Sequence, residues 1–278
     1  MLSGTVFGVV LFGAALHAIW NVTVRGAADR RREMVMVASG AGAFGVVALL
    51  FLPAPSLAAL PQLITSIILH LVYYVLVAEA YAHGSVALAY PLMRGTAPAI
   101  SALAAVALFA EALPPLGWIG IGAVCGGVLL LARRGRSGTA DEAKALRFAL
   151  LNALVIAAYT MTDASGARAS GSPIAYTAWA CIGPLPALIP WLLRGRAAPP
   201  RRAEILRGLG GGACTLGSYS AALWAMTQAP VAPVAALRET STLFGLVLAR
   251  LALGEKPGVT GWIAAGTIAL GAALLRFA

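Results

Sequence analysis

Residues 81–134 (YAHGSVALAYPLMRGTAPAISALAAVALFAEALPPLGWIGIGAVCGGVLLLARR) and 225–278 (AMTQAPVAPVAALRETSTLFGLVLARLALGEKPGVTGWIAAGTIALGAALLRFA) align without a gap. Arg94 falls on Arg238, Thr96 on Thr240, Glu111 on Glu255, Gly117 on Gly261 and Trp118 on Trp262. Ile119, Gly122 and Gly127 also find identical partners at Ile263, Gly266 and Gly271. Apolar composition alone produces coincident alanines and leucines, but it does not align Arg, Glu and Trp together. The chain is an internal duplication, with a first copy over 1–140 and a second over 141–278.

Composition says what kind of unit is duplicated. Of 278 residues, 60% are hydrophobic and 11% are charged, and the mean hydropathy is +0.86. Soluble domains carry about 25% charged residues, so this chain lacks the polar surface to solvate one. Disorder is excluded by the same numbers. A bilayer core of about 30 Å needs roughly 20 apolar residues of helix. Ten stretches qualify: 2–24, 34–52, 62–81, 86–109, 116–132, 148–167, 173–193, 208–226, 230–253 and 259–277. They are continuously apolar rather than alternating, which excludes a β-barrel. The first has no basic segment before it and arginines after it, so it reads as an uncleaved helix. Each copy therefore holds five spans, and an odd number forces the second copy to enter the membrane from the opposite side. The expected fold is an all-α integral membrane protein, its ten transmembrane helices forming two inverted five-helix repeats around a central cavity.

The net charge of +10 is a topology signal. Sixteen bases fall in the loops after spans 1, 5, 7 and 9, such as Arg30 to Arg32, Arg133, Arg134, Arg136, Arg194 and Arg196. Arg168 and Arg276 alone border the other face. The excess of bases on one side places that side in the cytoplasm and both termini outside. No basic patch is interleaved with aromatics on a folded domain, so a nucleic-acid role has no support. Cys125, Cys181 and Cys214 are isolated in apolar runs, and no metal-ligand spacing or phosphate loop occurs. No cofactor is expected, nor an enzyme's nucleophile–base pair.

The stretches E111-ALPPL-GWIGIGAVCGG and E255-KPGVT-GWIAAGTIALG, each closing a five-span repeat, resemble the EamA-type drug/metabolite transporter superfamily. The likeness covers essentially the whole chain. His17-Ala-Ile-Trp20-Asn21 and Tyr90-Pro-Leu-Met-Arg94-Gly-Thr-Ala-Pro98 look like a subgroup of it. The resemblance implies a ten-helix carrier of the bacterial inner membrane, often an exporter of amino acids or related metabolites. It also implies cytoplasmic termini, opposite to the base count.

Ionisable residues inside spans are costly and should face the bundle interior. Arg94 and Arg238, as repeat mates, should both approach the shared cavity, where a guanidinium fork suits a substrate carboxylate. A structural ion pair is the competing role. Pro91, Pro98, Pro230 and Pro233 free backbone groups nearby and predict helix irregularity. Asp163, Glu239 and Glu79 are the acids that could pair with an ammonium group or carry a coupling proton. Glu79 can alternatively reach the interface beside His83.

His17, Trp20 and Asn21 share one helix face by their i, i+3, i+4 spacing, as do His70, Tyr73 and Tyr74. Tyr90 shares the face of Arg94, and Tyr159 that of Asp163. Aromatics beside charges suit a cavity holding an amine or an apolar side chain, although interfacial belts and packing use the same residues. Glu111 and Glu255, at matched loop positions, suggest a helix-capping or orienting role.

The expected function is secondary transport of a small carboxylate-bearing metabolite by alternating access. Amino acids are favoured, in the export direction, with protons as a candidate coupling ion. The expected partners are the small-molecule substrate and the lipid bilayer, and one chain suffices to build the cavity. A flippase or transporter for a lipid-linked or phosphorylated anion is the alternative.

Overall fold

The computed structural model describes residues 2–27, 29–132, 140–186, 190, 200–256 and 258–278. The first copy runs α1 (Gly4–Arg25), α2 (Arg30–Leu49), α3 (Leu60–His83), α4 (Val86–Phe109) and α5 (Pro115–Ala132). The second runs α6 (Ala140–Ala169), α7 (Pro173–Ile182), α8 (Arg202–Gln228), then α9 (Val231–Leu237) and α10 (Ser241–Leu253), and finally α11 (Gly258–Phe277). Ser3, Asp29, Ser85 and Ser172 each accept a first-turn N–H at the start of α1, α2, α4 and α7.

Eight segments of the described residues are long and apolar enough to cross a membrane, α9 and α10 counting as one. The two remaining expected spans correspond to α7 and α8. The described part of α7 has 10 residues, and the rest of that span, over 187–189 and 191–193, lies outside the described residues. So do Arg133, Arg134, Arg136, Arg194 and Arg196. Helix α8 has 27 residues, diluted by Gly208–Gly212 and by a polar face of Thr215, Ser218 and Tyr219.

The helix irregularity expected around the two arginines occurs at Arg238 and not at Arg94. Helix α4 continues through Pro91 and Pro98. In the second copy Pro233 sits in the first turn of α9, where a missing N–H costs nothing. The break comes instead at Arg238–Thr240, a single 3₁₀ turn between α9 and α10. There the Thr240 hydroxyl donates back to the Leu237 carbonyl at 2.8 Å, a bond that competes with the helical ladder and bends it.

Both copies turn left-handed after the fourth span, and at matched positions: Ala110 has φ 52° and Gly254 φ 68°. Glycine adopts this conformation freely, whereas alanine gives up about 1–2 kcal/mol to do so. The copies interlock helix by helix, with α5 against α11, α2 against α8, α1 against α8 and α3 against α6. Glycines bring the α5–α11 and α2–α8 pairs close. A Cβ on Gly271 would lie 2.7 Å from the Gly120 carbonyl, and one on Gly40 2.3 Å from that of Gly208.

Alternation of the helices gives the bundle two unlike ends. At the base-rich end Glu33 of α2, although buried, pairs with Arg207 of α8 at 3.0 Å, and Arg32 pairs with Glu204 at 3.1 Å. Arg25 meets Glu255 there at 2.6 Å, with side chains 56% and 39% exposed. At the opposite end Glu111 is only 8% exposed and caps α9, accepting the N–H groups of Val231 (2.6 Å) and Ala232 (3.1 Å). Arg168, 3.8 Å from Glu111, donates to the carbonyls of Met226 and Ala229 at the end of α8. Behind this closure lies a buried apolar cluster that includes Val10, Met226, Val231, Leu237 and Leu275. The half of the bundle towards the base-rich end is the half that holds a cavity.

Candidate functional site

Three helix faces with the same i, i+3, i+4 spacing converge on that cavity. They are His17, Trp20 and Asn21 on α1, His70, Tyr73 and Tyr74 on α3, and Thr215, Ser218 and Tyr219 on α8. Tyr90 and Arg94 of α4, Tyr159 of α6 and Arg238 at the α9–α10 break complete its polar lining. The cavity has a volume of about 150 Å³, about that of an engineered cavity that accepts benzene. Met34, Val37, Ala38 and Ala41 of α2, with Pro184 and Leu185 beyond α7, form an apolar wall. All eight residues expected to bind substrate, Arg94, Arg238, Tyr90, His17, Trp20, Asn21, Tyr159 and Tyr74, line this one space.

The two arginines are not equivalent. Arg94 Nη2 lies 2.8 Å from Glu239 Oε1, with side chains 8% and 5% exposed. The pair is buried, so its attraction is offset against the loss of hydration of both ions. Arg238 precedes Glu239, and neighbouring positions on a helix point about 100° apart. The carboxylate therefore turns to Arg94 while Arg238 turns to the cavity. The Arg238 guanidinium carbon sits 5.4 Å from the centre of the Tyr219 ring. Among the described residues, no carboxylate lies within ion-pairing distance of it.

Asp163 is fully buried and lies behind the lining rather than in it. The Tyr176 hydroxyl donates to its Oδ1 at 2.8 Å, and the Tyr219 hydroxyl donates to its Oδ2. Tyr219 thus joins Asp163 at its hydroxyl to Arg238 at its face. His70 stacks on Tyr159 with ring centres 4.5 Å apart, and its Nδ1 lies 2.9 Å from the Ser66 carbonyl. Since a carbonyl only accepts, Nδ1 carries the proton when the ring is neutral.

Of the acids expected to couple transport to an ion, Glu239 borders only a second void of about 10 Å³, with Arg94, Arg238, Ser101 and Thr160. Glu79 lines neither. Its side chain is 47% exposed and 3.9 Å from His83 at the base-rich end. Tyr219 and Tyr176 were not singled out in the sequence. The Thr215, Ser218, Tyr219 spacing repeats the pattern of the two faces that were, and that signal could have found Tyr219. No group of three His, Cys, Asp or Glu side chains among the described residues could hold a metal.

The sequence profile of the EamA-like transporter family matches residues 143–277. No curated protein matches the chain in sequence. A protein of known crystal structure shares the fold over 98% of this chain and 96% of its own, with TM-score 0.76 and 18% identity. Members of the matched family are transporters rather than enzymes. Over residues 143–277 the chain thus matches the EamA-like transporter family, whose members are membrane transporters of small molecules, and its long apolar helices make it a multi-pass membrane protein.

Proposed function

We propose that the protein carries a small carboxylate-bearing metabolite by alternating access between its two copies, 1–140 and 141–278. Arg238 is the carboxylate-binding residue. The observation that supports this is a cavity-lining guanidinium with no carboxylate in reach, beside an Arg94 already neutralised by Glu239. A bidentate fork with its counter-charge missing is the arrangement that an incoming carboxylate completes. Amino acids are the carboxylates that the family resemblance favours, in the export direction across a bacterial inner membrane. Tyr90, Tyr74, Tyr159, Trp20, His17 and Asn21 would contact the rest of the molecule.

Asp163 is the best-placed acid for a coupling proton. Tyr219 links it to the substrate arginine, so a charge change at one is felt at the other. Glu239 is committed to Arg94, and Glu79 stands outside the cavity.

The test is uptake of labelled carboxylates into proteoliposomes, with and without a pH gradient. Arg238→Ala should abolish uptake and Arg238→Lys should restore part of it. Asp163→Asn should uncouple uptake from the gradient. Carboxylate uptake unaffected by Arg238→Ala would sink the assignment.

A further inference from the structure

The ten acids of this chain can be accounted for one by one, because all of them lie among the described residues. Seven belong to helix ends and loops: Asp29, Glu33, Glu79, Glu111, Asp141, Glu142, Glu204, with Glu255 an eighth. The remaining two, Asp163 and Glu239, are the acids within reach of the cavity region. Both oxygens of Asp163 are taken by tyrosine hydroxyls, and the residue does not line the cavity. Glu239 is paired with Arg94 and faces the smaller void. The cavity thus presents the guanidinium groups of Arg94 and Arg238 and several neutral polar groups, but no carboxylate for a cation.

We infer that the transported molecule is an organic anion without an ammonium group, so that amino-acid zwitterions and amines are poor substrates. The inference rests on the reading of this cavity as the carboxylate site, and in place of the amino acids that the family resemblance favours it sets carboxylates that lack an ammonium group. An ammonium group here would lose its hydration without gaining a counter-ion, and would stand beside the Arg238 guanidinium. Aromatic faces could hold it instead, but several are already engaged. Tyr219 gives a face to Arg238 and Tyr159 one to His70, while Trp20 and His17 meet edge to face at 5.1 Å. The apolar wall of Met34, Val37, Ala38 and Ala41, with the tyrosines opposite, suits an aryl or alkyl body attached to the carboxylate. The charge count points the same way. Arg94, Arg238, Asp163 and Glu239 cancel when all are ionised, so a bound anion leaves one negative charge that a co-transported proton would neutralise. An anion and a proton would then travel together, which a zwitterion would not require.

The experiment compares one carbon skeleton in three charge states. Binding of 3-phenylpropionate, phenylalanine and phenethylamine to the purified full-length protein is measured by calorimetry or quenching of Trp fluorescence, followed by proteoliposome uptake of the labelled compounds. The expected order is phenylpropionate first, phenylalanine at least tenfold weaker, and phenethylamine without detectable binding. Arg238→Ala should remove phenylpropionate binding. Asn21→Asp, which places a carboxylate in the lining with little change of shape, should raise the phenylalanine-to-phenylpropionate ratio at least tenfold. Phenylalanine binding as tightly as phenylpropionate, with both lost in Arg238→Ala, would overturn the anion inference and leave Arg238 as the carboxylate site. Tighter binding of phenethylamine, or binding insensitive to Arg238→Ala, would overturn both. Binding of none of the three would overturn the inference as stated.

Discussion

Arg94 and Arg238 fall at matched positions of the two aligned halves, yet one is held in a buried ion pair and the other borders the cavity with no carboxylate in ion-pairing reach. The difference traces to the next residue. Arg94 is followed by Gly95 and Arg238 by Glu239, so two arginines share one carboxylate. Glu239 serves the arginine across the bundle rather than its own neighbour, at 2.8 Å. The reverse substitution has no room, because a Cβ on Gly95 would lie 2.7 Å from Leu129 Cγ. The aligned halves supply two matched cations, and a single non-matching position leaves one of them in a buried ion pair and the other without a carboxylate.

The sharpest way to break this contrast is Arg94→Ala. It leaves Glu239 buried without its cation, and a loss of about 3–5 kcal/mol is expected, read as the unfolding midpoint of the detergent-solubilised protein. Arg94→Met with Glu239→Leu should recover most of that loss, since removing both charges removes the penalty. An Arg94→Ala protein as stable as the parent would erase the distinction. By contrast, Arg238→Ala should cost only about 1 kcal/mol or less, the worth of its cation–π contact, while carboxylate binding is lost.

The same contrast recurs at the loops. Glu111→Gln should destabilise by about 1–2 kcal/mol, because a charged acceptor is withdrawn from two helix N–H groups. Glu255→Gln, at the matched but exposed position, should change stability by about 0–1 kcal/mol. Equal effects in thermal unfolding would mean that the two ends are built alike.

The smallest effect concerns pH. The Arg201 backbone N–H, followed by Arg32, holds the half-buried Glu204 carboxyl below its ordinary value. A lowered folded-state pKa contributes stability above the unfolded value of about 4.3, and that contribution disappears as pH falls through the folded value. Glu204→Gln should therefore lower the unfolding temperature slightly at pH 6 and match the parent well below pH 4. A mutant equally displaced at both would remove charge as the cause.

The repeat and the spans were legible because hydropathy and matched Arg, Glu and Trp positions are one-dimensional signals. So was the cavity lining, since i, i+3, i+4 spacing fixes a helix face before any contact is known. The fate of Arg94 was not legible. Its partner lies 145 positions away, and the choice of Glu239 between two arginines depends on the angle at which a bent helix presents it. The bend falls at Arg238 but not at Arg94, and its local cause was not legible, since proline in a first helical turn disturbs nothing and the Thr240 hydroxyl tightens the backbone instead. Asp163 announced the need for partners without naming them. Tyr176 and Tyr219 reach it from two other helices, which only the packing brings together.

The contact between α2 and α8 has a mechanical side. Gly40 meets Gly208, and Gly212 meets the backbone of Gly40 and Ala41, so the two copies touch there as bare main chain. Interlocked side chains resist sliding because each ridge must climb out of its groove. Two smooth stretches have no such teeth. Flanked by the Glu33–Arg207 and Arg32–Glu204 ion pairs, this seam has the form of a bearing held by clasps, where one added methyl group would act as grit.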